Sequence, residues 1–104
     1  MADFLYTFKP KRPDFMITMT DAERTAMAEH TAHLLALLGE GKLLFAGVCL
    51  DGAFAVAAFR ADSADAGAAV FANDPAVKAG IVDAELHPFH LSMLQDKPPT
   101  LFGT

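Results

Sequence analysis

Apolar residues along this chain come in two kinds of run. Some recur at the three-and-four spacing of a helix; others form short unbroken stretches that read as strands. "DFLYTF" is short, aromatic-rich and β-prone, and it stops at Pro10. Residues 9–19 hold two prolines and three basic side chains, which predicts a connecting loop. "TDAE" follows with Thr20 as N-cap and Glu23 three residues on, a capping box that opens a helix running to about Leu38. Gly39 and Gly41 offer the stop.

"KLLFAGVCL" predicts a strand, the "DG" at Asp51 and Gly52 a two-residue hairpin turn, and "AFAVAAF" the returning strand. Asp62 or Ser63 caps a second helix through Phe71. In "NDPAVKAG", Asp74 caps a short helical turn, Pro75 takes its first position and Gly80 ends it. "IVDAELHPFHLSML" closes as a long strand with a bulge or edge position at Pro88. These elements predict one domain over residues 1–94 and a mobile or partner-bound C-terminal tail over 95–104.

The order β-α-β-β-α-β is the split pattern of a ferredoxin-like α+β sandwich, with both helices on one face of a four-stranded antiparallel sheet. The other face should then alternate apolar with polar. "LLFAGVCL" and "AFAVAAF" do not alternate, so the second face calls for a cover, and an identical sheet from a second copy supplies one. A homodimer is the expectation.

Two histidines interrupt the first helix. By helical periodicity Met27, Leu34, Leu37 and Leu38 share a face that includes His30, while His33 lies at its edge. A buried neutral imidazole has a donor and an acceptor to satisfy, so His30 needs a partner. It can be a core histidine bonded to backbone or water, a metal ligand, or half of an acid/base pair. His30 and His33 alone fall short of the ligands zinc requires, and His87 and His90, three apart on a strand, point to opposite faces. No metal is expected. Among the acids, Asp74 and Glu23 both read first as helix caps, with Glu23 a minor partner candidate, and Asp51 belongs to the hairpin turn. Arg12 is either a solvated loop charge or the cation that holds an acidic ligand. Phe4, Tyr6, Phe8, Phe45 and Phe59 are core residues or the walls of a pocket.

Bulk properties remove several functions. The 104 residues are 53% hydrophobic and 20% charged, which excludes a disordered chain. The net charge of -5, with one small basic cluster in "KPKRP", argues against nucleic acid as a partner. The lone Cys49 sits in an apolar run and reads as a small buried hydrophobe. No signal peptide and no run of ~20 apolar residues is visible, so neither a membrane nor export is expected and the cytoplasm is the simplest location.

The segments "PKRPDFMITMTDAERTAMAEHTAHLLALLGEGKLLFAGVCLDG", "NDPAVKAGI" and "AELHPF" together resemble the YciI-like (YCII-related) family over nearly the whole chain. The resemblance implies a dimeric α+β barrel and an active site built from a histidine on the first helix and an aspartate opening the "DP" turn. Those positions fall on His30 and Asp74. His33 falls where the family varies, and Arg12, Pro13 and Phe15 resemble a pattern of one subset with no assigned role. One type of relative resembles a dehydrochlorinase of a chlorinated hydroxyquinol; that chemistry is not carried over.

The resulting expectation is a cofactor-free enzyme. His30 and Asp74 would perform general acid/base chemistry of the elimination, isomerisation or lyase type on a small, oxygenated or aromatic substrate. His33, Arg12, Tyr6 and Phe45 would contact it. The alternative is a dimeric small-molecule binding module without turnover.

Overall fold

The computed structural model describes residues 1–100. The chain forms β1 (Ala2–Pro10), α1 (Phe15–Thr18), α2 (Asp21–Gly39), β2 (Leu43–Val48), β3 (Ala55–Ala61), α3 (Ala64–Ala72), α4 (Pro75–Lys78) and β4 (Val82–Phe89). The strands make one antiparallel sheet in the order β2-β3-β1-β4. With the long helices packed on one side, this is the ferredoxin-like α+β sandwich.

Strand periodicity of two sends Phe4, Tyr6 and Phe8 to the helix side, where all three are buried. Their partners Phe59, Ala57 and Ala55 on β3 extend the same face. Tyr6 and Phe8 are thus set beside small residues, Phe4 stacks on Phe59, and helix α3 comes down on the Phe4 ring at Gly67. A Cβ there would lie 2.5 Å from the Phe4 ring. Gly67→Ala should therefore lose roughly 1–3 kcal/mol despite alanine's better helix propensity. Denaturant melts check this; trimming Phe4 to leucine in the same chain should restore part of the loss.

Helix α2 starts as the sequence predicts: Glu23 N–H donates to Thr20 Oγ1 at 3.1 Å and Thr20 N–H to Glu23 Oε1 at 2.8 Å. Its buried residues are Ala26, His30 and Leu37. Leu38, expected on that stripe, is 55% exposed, because the face centres one step back, on the line through His30 and Leu37.

Three expectations are corrected. The β2–β3 connection is longer than two residues: pairing stops at Val48 and Ala55, and residues 49–54 form a loop. Cys49 N–H donates to Phe54 O at 2.9 Å and Gly52, at φ +82, donates to Cys49 O at 3.1 Å. Asp51 accepts from Ala53 N–H at 3.0 Å, which takes the "DG" turn out of the ladder. The expected loop at 9–19 contains α1, a single turn that buries Phe15. Strand β4 ends at Phe89 rather than near Leu94, because its partner β1 runs out: the last pair is Asp3 with Phe89. Beyond it the tail folds on itself, with His90 Nε2 donating to Thr100 O and Thr100 N–H to Ser92 O, both at 2.6 Å. The end of the expected tail, residues 101–104, lies outside the described residues.

The face away from the helices carries Leu5, Val56, Ala58, Phe45 and Phe89. Phe45 and Phe89 approach edge to face at 6.2 Å, and Ala58 on the same face is fully buried. Among the described residues, no helix is long and apolar enough to cross a membrane.

Candidate active site

Helix α2 carries His30 onto the sheet above Phe8, the two rings edge to face at 4.8 Å. Helix α4 begins directly beneath it. Pro75 fixes the first helical residue and leaves Asp74 extended at the cap, so its side chain turns inward. Asp74 is fully buried and His30 is 5% exposed. The two meet: His30 Nδ1 lies 2.7 Å from Asp74 Oδ2 and 2.9 Å from Oδ1.

Two more donors reach the same carboxylate. The Tyr6 hydroxyl donates to Oδ2 at 2.6 Å, and Ala76 N–H donates to Oδ1 at 2.9 Å. Capping and partnering are therefore not rival roles for Asp74, since one carboxylate has acceptor sites for both. Burial pushes the Asp74 carboxyl up, but the bonds from His30 and Tyr6, the His30 charge and the Ala76 N–H outweigh it and leave it below its ordinary value. The Tyr6 phenol is driven the other way, upward, by burial first and then by Asp74. Asp74 thus stays an anion and Tyr6 a donor.

An ionised carboxylate only accepts, so neutral His30 carries its proton on Nδ1. Its Nε2 has no protein partner among the described residues. Because no buried side-chain nitrogen or oxygen among the described residues lacks a partner, Nε2 is the edge of the ring that reaches the surface. This is a lone pair presented outward from a buried, anchored imidazole, the arrangement general-base chemistry needs.

The other expected contacts are dispersed. His33 Nε2 donates to Val70 O at 3.1 Å and ties α2 to α3. Arg12 is held away from the pair: it bonds both oxygens of Glu23, donates from Nη2 to Thr18 O at 2.9 Å, and lies over the Phe15 ring at 5.2 Å. That bond first, with the Thr20 N–H next, holds the Glu23 carboxyl down to about 2. Phe45 pairs with Ala58, on the sheet face opposite Tyr6, because the β2 register shifts between Leu43 and Phe45. Tyr6 alone of these four joins His30, and through Asp74. Its composition was the available signal: one tyrosine among nine phenylalanines, in a strand whose buried positions otherwise read Phe.

A hollow of about 630 Å³ beside the β2–β3 loop, lined by Thr7, Phe8, Phe54 and Ala84 among others, shares Phe8 with the site. A larger one, about 800 Å³, lies at the other end of β1 around Asp3, Arg60 and Phe89. No cluster of three or more potential metal ligands occurs among the described residues.

Fold and site together define a ferredoxin-like α+β domain with a buried histidine–carboxylate pair. No protein-family model and no curated protein matches the chain. Among solved structures it is similar to the 5-chloro-2-hydroxyhydroquinone dehydrochlorinase TftG of Burkholderia phenoliruptrix AC1100, in complex with 2,5-dihydroxybenzoquinone. The TM-score is 0.60 at 21% identity, over 84% of this chain and 93% of that one. TftG shares the α+β fold.

Proposed function

We propose that the protein is a cofactor-free enzyme of the YciI-like family in which His30 acts as general base. Asp74 orients the ring and stabilises the imidazolium once a proton has been taken. One observation carries this reading: Nδ1 is anchored to a buried carboxylate while Nε2 is the ring edge that reaches the surface. Arg12 is committed to Glu23, so the reading favours a substrate recognised without that cation, a small oxygenated or aromatic molecule with an acidic C–H or O–H. TftG acts on a molecule of that class, which supports the substrate class and not the dechlorination itself.

The test is solvent-deuterium incorporation, by mass spectrometry, into a panel of small hydroxylated aromatics and lactones incubated with the protein. Exchange well above the protein-free rate is the expected result. Binding without exchange in any of them would favour a module that holds small molecules and does not turn them over.

A second copy packed on the open sheet face is part of the proposal. Leu5, Val56, Phe45 and Phe89 are only half-buried there, an apolar patch flanked by Glu85 and His87 and of the kind that pairs with its own image. Sedimentation should give twice the chain mass, and Val56→Lys, which places a charge at the centre of that face, should halve it. A wild-type monomer would remove the dimer.

A further inference from the structure

Tyr6 occupies a position that phenylalanine would fill. It is fully buried, with Phe8, Phe59 and Phe71 around its ring at 5.6, 5.9 and 5.4 Å between centroids. Only its hydroxyl distinguishes it from those neighbours, and that hydroxyl has one hydrogen-bond partner, Asp74 Oδ2. A group with no exposed surface cannot meet a substrate arriving at His30 Nε2. The sequence expectation of a substrate contact therefore gives way to another role.

We propose that Tyr6 is a positioning residue for the His30–Asp74 pair, its hydroxyl clamping the carboxylate so that His30 alone exchanges protons with the outside. The clamp is two-sided. Tyr6 fixes Oδ2 and Ala76 N–H fixes Oδ1, from β1 and α4 respectively, and His30 Nδ1 bridges both oxygens from α2. With its plane fixed, the carboxylate dictates both the orientation and the tautomer of the imidazole.

The clamp also sets basicity. Each donor on the carboxylate stabilises its charge and weakens its pull on the imidazole proton. The ionisable groups facing Asp74 are Tyr6 and His30. Of the charged side chains on the elements around it, Lys78 on α4, Asp65 on α3, Asp83 and Glu85 on β4, Lys9 on β1 and Asp21, Arg24 and Glu29 on α2 are exposed, Glu23 is bound to Arg12, and Asp3 to Arg60. Removing the hydroxyl leaves the anion short of one donor. Asp74 then takes a proton more readily, so its own proton uptake moves to higher pH.

This role rests on the reading of His30 as the base, but its test needs no substrate. Tyr6→Phe and wild-type protein, labelled with ¹⁵N in the histidine rings and ¹³C in the aspartate carboxyls, are titrated by NMR. The Asp74 midpoint should rise by about one pH unit in Tyr6→Phe, the size expected for losing one hydrogen bond to a charged group. An unchanged midpoint in a folded variant overturns the clamp, whether or not His30 is a base. If Tyr6→Phe does not fold, the wild type decides: the Tyr6 hydroxyl proton should give a slowly exchanging downfield signal that moves as the pair titrates. A Tyr6 signal indifferent to that titration overturns the proposal as well.

Discussion

Asp74→Ala is expected to destabilise the protein by roughly 3–5 kcal/mol. The substitution strands three donors at once: the Tyr6 hydroxyl, His30 Nδ1–H and the Ala76 N–H that opens α4. Each buried donor left without a partner costs about 1–3 kcal/mol, less where water enters the space the carboxyl vacates. For a domain of this size the melting temperature should fall by on the order of 20 °C. Asp74→Asn keeps the shape and one acceptor oxygen, so its loss should be about half as large. Denaturant melts with equal slopes for all three proteins would make the comparison valid.

The same carboxylate gives the protein a pH signature. The folded-state pKa of Asp74 is depressed, chiefly because the bonds from His30 and Tyr6 outweigh burial. Its contribution is therefore complete above the unfolded value of about 3.9 and is lost as the pH falls through the lower folded value. The stability gap between wild type and Asp74→Asn should persist on acidification from neutral pH and narrow only as the pH falls through that range. A gap that already closes near neutrality would mean the buried carboxyl is not ionised.

His30→Asn is expected to reduce turnover by about 10²–10⁴-fold while the fold persists. Asparagine places an amide N–H near the position of Nδ1, so Asp74 keeps a third donor alongside Tyr6 and Ala76. What it lacks is anything equivalent to Nε2. The variant thus separates the structural half of the ring from the chemical half, which alanine would not do. The deuterium-exchange assay reads the rate and thermal melting reads the fold. Exchange retained within tenfold of wild type would end the assignment of His30 as base, and a collapsed melt would assign the ring to structure instead.

The Arg12–Glu23 tie shows how sequence separation misleads about ligands. Arg12 lies among prolines and looks available, yet α1 turns the chain so that its guanidinium meets the residue that closes the α2 capping box. Glu23 is held low by that cation and is no partner for His30. Phe45 misleads for another reason. A single irregularity between Leu43 and Phe45 moves it to the opposite sheet face, and with a side-chain period of two no composition signal reports such a slip.

Local rules were sufficient for the starts of three of the helices. Thr20 with Glu23, Ser63 before α3, and Asp74 with Pro75 each fixed a helix start, because a cap is made by residues two or three positions apart. The four-stranded antiparallel sheet followed from the element sequence, while its strand order β2-β3-β1-β4 and the inward face Phe4-Tyr6-Phe8 of β1 are read from the structure. The meeting of three side chains on one carboxylate belongs to another scale. His30 and Asp74 are 44 positions apart and Tyr6 and Asp74 are 68, and no pattern along the chain encodes a distance between them. Only the packing of α2 and α4 over β1 brings them within hydrogen-bonding range, so the tertiary fold alone turned a helix cap, a core tyrosine and a helical histidine into one site.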